Sequence, residues 1–153
     1  MNIITSKDNE FVKHVKKLKE KKYRDICQSY IIEGIKLINE AINENANIKQ
    51  IVICEDCTKI DVIPKELMYE IAKYECVYVT KKIFDTLTDV VNPQGILAII
   101  EKDINNNEID YKSDIIVALD DIQDPGNLGT ILRTVDSVRI KPNFGVKGHS
   151  RCI

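Results

Sequence analysis

No apolar run in this 153-residue chain approaches the roughly 20 residues of a membrane span. The first residues, Met1 to Phe11, lack the basic-then-apolar layout of a secretory signal. A soluble, cytoplasmic protein is expected. The charge balance is also unremarkable: a net −2 excludes recognition driven by overall charge, so any nucleic-acid contact must use a local patch. Cysteine is present at 27, 54, 57, 76 and 152, but no four-ligand set forms. Cys54 and Cys57 make a single C-x-x-C, which cannot complete a zinc site, so free thiols are expected and no metal. His14 and His149 are the only histidines and suggest no dyad. The chain has neither a G-x-G-x-x-G nor a Gly-Lys-Ser/Thr phosphate loop, which counts against a nucleotide-binding α/β module.

What is present is an alternation of short apolar runs with helical patterns. Residues 29–33, 48–53, 76–80 and 94–100 read as strands. Residues 34–44, a segment opened by Pro64, and residues 81–87 read as helices. Alternation of this kind predicts an α/β layered unit. Ahead of it, a helix capped by Ser6 or Asp8 is predicted to run to about Lys22, with Phe11, Val15 and Leu18 inward. Its remaining surface is basic: Lys13, Lys16, Lys17, Lys19, Lys21, Lys22 and Arg24, opposed by Glu20. A charge run is usually a solvated face, yet in a near-neutral chain this is the clear cationic patch, and phosphate backbones reward such patches through counterion release. The tyrosines at 23, 30, 69, 74 and 78 are scattered; packing is the ordinary role for each, base stacking the alternative.

Residues 101–112 are polar, asparagine-rich and aperiodic, and read as a linker. A second pattern follows. Residues 114–119 are a β-branched run, residues 120–126 are turn chemistry, and a helix begins with Asn127 as its expected N-cap. Leu128, Ile131, Leu132 and Val135 form its apolar stripe, so Gly129, Arg133 and Asp136 face the other way. On spacing alone, Arg133 reads as a solvent-exposed arginine paired with Asp136.

These residues carry a resemblance. Asp120, Asp124-Pro125-Gly126-Asn127, Gly129 and Arg133 resemble the first signature motif of the SpoU/TrmH branch of the SPOUT methyltransferases. Residues 24–42, centred on Ile31-Ile32-Glu33-Gly34, and Asn92-Pro93-Gln94-Gly95 resemble the opening and closing segments of that family's N-terminal substrate-binding domain. The resemblance implies transfer of a methyl group from S-adenosylmethionine to a ribose 2′-hydroxyl of rRNA or tRNA. It implies Arg133 and Asn127 as catalytic residues, with Asp124, Pro125, Gly126 and Gly129 shaping the motif loop. It implies RNA contact through Lys13, Lys16, Lys17, Lys21, Lys22 and Arg24. Glu33 and Gly34 read either as recognition residues or as strand-end and turn residues.

The expected organisation is an RNA-binding domain over 1–102, a linker over 103–112, and the start of a knotted SPOUT α/β domain over 113–153. The first domain is expected to resemble RNA-binding ribosomal proteins. The family's later motifs, which surround the cofactor and tie the knot, have no match here. The chain is therefore expected to be a truncated form that binds S-adenosylmethionine poorly and is inactive alone, while the complete enzyme is expected to be a homodimer. Residues 140–146 are expected to begin another parallel strand, weakened by Pro142 and Gly145. The alternative reading is a stand-alone RNA-binding module without catalysis.

Overall fold

The computed structural model describes residues 3–56, 63–102, 117–137 and 145–146. The chain divides into two compact units, Met1–Asp103 and Ile104–Ile153.

The first unit is built on a five-stranded mixed sheet. Its strands are β1 (Ile3–Ile4), β2 (Ser29–Glu33), β3 (Ile48–Cys54), β4 (Cys76–Val79) and β5 (Ile96–Glu101), in the order β1-β4-β3-β5-β2. β1, β4 and β3 run parallel, while β5 is antiparallel to both β3 and β2. The helices are α1 (Glu10–Lys17), α2 (Lys21–Cys27), α3 (Ile35–Asn43), α4 (Lys65–Ile71) and α5 (Lys81–Leu87).

Side chains alternate across each strand, so two adjacent residues serve two different cores. Val52, Cys54, Val79, Leu97 and Ile99 pack with Val12, Val15 and Leu18 at α1 and with Ile83, Phe84 and Leu87 of α5. Ile51, Ile53, Ile96, Ala98 and Ile100 face the opposite way, against Ile38 of α3 and Leu67 and Ile71 of α4. Both faces of the sheet are thus covered, which is why β5 reads as an unbroken apolar run. Burying each of these large side chains contributes roughly 1.5–3 kcal/mol relative to exposure. Burial also pushes the Cys76 thiol up from its ordinary range, and Sγ donates to the Ile71 carbonyl at 3.5 Å. Cys27 and Cys76 are free thiols as expected, but Cys54 is disulfide-bonded, which corrects the free-thiol reading there. Cys57, the other half of the C-x-x-C, lies outside the described residues.

One correction matters for function. The single basic helix expected to reach Lys22 is two helices. α1 starts after Asn9, whose side chain accepts from the Phe11 and Val12 amides at 2.9 and 3.4 Å, and not after Ser6 or Asp8. It ends at Lys17, and α2 restarts at Lys21. Leu18, the C-cap of α1, is 1% exposed in the core. α2 ends on Gln28, which adopts a left-handed φ of 47°. The Lys102 ammonium then ties the end of β5 back to α2 through Asp25 at 2.8 Å. That hydrogen bond holds the Asp25 carboxyl below its usual range.

The second unit contains β6 (Ala118–Leu119) pairing in parallel with β7 (Gly145–Val146), and α6 (Pro125–Ser137). The expected strand over 140–146 is represented by β7. The expected linker, residues 113–116, and residues 138–144 and 147–153 lie outside the described residues. Val135 is buried, while Leu128, Ile131 and Leu132 are half-buried. Among the described residues, no helix is long and apolar enough to cross a membrane.

Candidate functional site

The motif loop of the second unit is organised by Asp124. Its Oδ1 accepts from the Asn127 amide at 2.8 Å, and its carbonyl accepts from the Leu128 amide at 3.1 Å. Asp124 is therefore the N-cap of α6, and Pro125 occupies the first helical position, where a missing N–H costs nothing. This corrects the expectation that Asn127 caps the helix. Asn127 lies within the first turn, and its side chain is exposed and does not serve as the cap. Gly126 is required by the same contact: a Cβ there would lie 2.9 Å from Asp124 Oδ1. Asp121, just upstream, takes a left-handed φ of 48°, a conformation that aspartate tolerates better than most residues.

One turn on, Arg133 is exposed and folds back along the helix. Its guanidinium lies over Gly129, where an added Cβ would sit 3.5 Å from Nη1. Nη2 donates to Thr130 Oγ1 at 3.4 Å, and that hydroxyl donates to the Gly126 carbonyl at 2.9 Å. The space above Gly129 is thus occupied by the arginine of the same motif. Thr130 was not among the expected site residues; a threonine four residues after a glycine carries no sequence signal of its own. The side chain of Asp136, the expected partner of Arg133, lies outside the described residues.

The structure brings Asp124, Gly126, Asn127, Gly129 and Arg133 together on the first turns of one helix. Asp120, Asp121, Gln123, Asp124, Gly126, Asn127, Thr130 and Arg133 are all exposed. The exposed groups, one guanidinium and one carboxamide, suit an anion or hydroxyl approaching from solvent.

In the first unit, Glu33 and Gly34 have definite structural roles. Thr88 Oγ1 donates to both Glu33 carboxylate oxygens at 2.7 and 2.8 Å and accepts from the Val90 amide at 2.9 Å. Gly34 is the N-cap of α3 with φ 101°, and it has no side chain to cap with. Gln94 supplies the missing group: its Oε1 accepts from the Ile35 amide at 2.8 Å. A Cβ on Gly34 would meet that same oxygen at 3.0 Å. Glu33 and Gly34 thus hold the 88–94 segment, with Val90 and Val91 exposed at its tip.

The basic residues lie on α1 and α2. Lys13 pairs with Asp8 at 3.5 Å, and Lys19 Nζ donates to the Thr88 carbonyl and to Asp89. Arg24 differs from the expectation of a free RNA contact. Its Nη1 donates to the carbonyls of Leu18 and Lys19 at 3.3 and 2.6 Å, satisfying the open end of α1. Lys16, Lys17, Lys21 and Lys22 have no carboxylate within ion-pair distance among the described residues. Lys17 and Lys22 instead lie 5.4 and 6.0 Å from the ring centre of Tyr23, which was expected to be a packing residue.

Residues 9–98 match the family model described as the MRM3-like substrate binding domain. The 23S rRNA (guanosine(2553)-2′-O)-methyltransferase RlmP of Bacillus subtilis is 34% identical over 137 residues, covering 90% of this chain and 51% of that protein. The crystal structure of an rRNA methyltransferase from Sinorhizobium meliloti superposes with a TM-score of 0.70 at 32% identity, covering 89% of this chain and 51% of that one. Its AdoMet-bound form matches equally well. An RNA 2′-O ribose methyltransferase structure at 24% identity and TM-score 0.73 shares the fold. The chain spans about half the length of these relatives. The mixed α/β fold is that of SpoU-type methyltransferases. With its family model covering residues 9–98, the chain belongs to the MRM3-like substrate-binding domain family, whose homologues are SpoU/TrmH-type rRNA 2′-O-methyltransferases.

Proposed function

We propose that this chain forms the substrate-binding unit and the first motif of an S-adenosylmethionine-dependent RNA 2′-O-ribose methyltransferase acting on rRNA in the cytoplasm. The observation that carries the reading is the pairing of a matched substrate-binding domain with an Asp124-capped helix presenting Asn127 and Arg133 to solvent. S-adenosylmethionine supplies the methyl group. The residues described here supply the RNA side. A ribose hydroxyl is a poor nucleophile until negative charge on its oxygen is stabilised, and a guanidinium does that while its fork also grips the neighbouring phosphate. Arg133 holds that role. It positions the ribose and stabilises the developing charge. Asn127 faces the RNA, and Asp124, Pro125, Gly126 and Gly129 shape the loop.

Residues 1–153 alone are expected to bind S-adenosylmethionine weakly and to transfer no methyl group, because the exposed motif loop does not enclose it. The homodimer that the resemblance implies is proposed for a chain carrying the complete catalytic unit of the relatives. In a chain carrying the complete catalytic unit of the relatives, Arg133→Ala is expected to lower methyl transfer at least a hundredfold with little change in cofactor affinity. Tritiated-methyl transfer and calorimetry measure the two separately. Retained turnover removes Arg133 from the reaction.

A further inference from the structure

We infer that Tyr23, set between Lys17 and Lys22, is a stacking platform for an unpaired base of single-stranded RNA. The inference rests on the proposal that this chain binds RNA. It goes beyond that proposal by naming a residue and the form of RNA it takes.

The platform exists because the helix breaks. On one continuous helix, Lys17 and Tyr23 would lie about 9 Å apart along the axis and about 120° apart around it. They would not meet. The break at residues 18–20 folds the start of α2 back, so that the last residue of α1 and the second residue of α2 both reach one ring. The break is itself held from two sides. Arg24 closes the Leu18 and Lys19 carbonyls, and Lys19 is fastened to the Thr88 carbonyl and Asp89.

The charges around the ring point to an anion. Elsewhere in this unit Lys13, Lys19, Lys49, Lys73, Lys81 and Lys102 each have a carboxylate within 4.0 Å. Among the described residues, Lys16, Lys17, Lys21 and Lys22 do not, and they crowd into seven residues. Tyr23 is half-buried, with the Lys17 and Lys22 ammonium groups over its ring. Lysine heads ride on flexible four-carbon stems and can shift to flanking phosphates while the ring stays in place. A positive groove with an aromatic face is the arrangement that takes unpaired nucleotides, because every base has a π-face to stack. A duplex keeps its bases stacked on one another and offers the ring none.

The test uses the 153-residue chain and a fluorescein-labelled single-stranded RNA of mixed sequence, alongside the same strand annealed to its complement. The sequence has no tryptophan, so Tyr23→Trp introduces a lone reporter at the platform. Its emission is expected to be quenched by the single strand and much less by the duplex. Tyr23→Phe is expected to keep affinity within about twofold, while Tyr23→Ala loses roughly 5- to 100-fold. Lys17→Gln combined with Lys22→Gln is expected to reduce the salt slope of binding by about 1.4. RNA binding that leaves the tryptophan unquenched, or equal quenching by the duplex, overturns the platform while RNA binding stands. No RNA binding at all overturns the platform and the RNA-binding proposal together. Thermal melting of each variant separates lost stacking from lost folding, and Tyr23→Phe and Tyr23→Trp keep a ring in place if Tyr23→Ala unfolds.

Discussion

Asp124 and Gly126 form a coupled pair whose energetics are open to measurement. The carboxylate of Asp124 closes the first turn of α6 through the Asn127 amide. Removing an N-cap carboxylate costs about 1 kcal/mol of helix stability. Asp124→Ala should therefore accelerate amide exchange at Asn127 and Leu128. Gly126→Ala in the native background forces a methyl to within 2.9 Å of Asp124 Oδ1, so it should also destabilise the turn. In the Asp124→Ala background that conflict is gone, and alanine is a better helix former than glycine by up to about 1 kcal/mol. The effect of Gly126→Ala should then change sign. Additive losses in the double variant would show that the glycine serves something other than the cap. The cap was misplaced in the sequence reading because aspartate and asparagine are equally good cap formers. The deciding signal was Pro125, which favours the first helical position and so puts the cap one residue before itself.

Arg24 governs the α1–α2 corner. A basic residue in a lysine-rich run looks like one more phosphate contact, and nothing in the spacing distinguishes it. In the structure its guanidinium spans the Leu18 and Lys19 carbonyls, in the turn that follows α1. Arg24→Ala is expected to lower stability by about 1–2 kcal/mol in urea unfolding, with partial recovery in Arg24→Lys. RNA affinity should fall with it, because Lys17 and Tyr23 no longer meet once the corner relaxes. A variant with native stability and a salt slope reduced by only about 0.7 would make Arg24 a simple phosphate contact instead. The break itself was hidden because each of residues 17–23 tolerates a helix, while the contacts that hold the turn, Arg24 to the Leu18 and Lys19 carbonyls and Lys19 to Thr88 and Asp89, are not visible in the sequence. The strands were easier to place. The short apolar runs at 29–33, 48–53, 76–80 and 94–100 mark them, and α5 matches its expected range of 81–87. The antiparallel direction of β5 was not legible, since an apolar run buried on both faces carries no record of its neighbours' direction.

At the scale of the molecule, the apolar core of the described residues is unevenly distributed. Every residue of the two core clusters lies within Met1–Asp103, and Val135 is the one buried hydrophobic residue described beyond it. The first unit covers both faces of its sheet with its own helices. In the second, most of the α6 stripe is half-buried. The unequal cores predict unequal autonomy, because a unit that buries little apolar surface cannot offset the conformational entropy of ordering its chain. A chain ending at Asp103 should melt cooperatively, within a few degrees of the 153-residue chain. It should also keep the RNA affinity of the α1–α2 corner, since Lys16, Lys17, Lys21, Lys22 and Tyr23 and the groups that hold them all lie in the first unit. Residues 104–153 alone should show no cooperative melting by circular dichroism. A large fall in melting temperature or RNA affinity on truncation would mean that the second unit completes the first. In that case, the substrate-binding surface would extend beyond the corner where α1 meets α2.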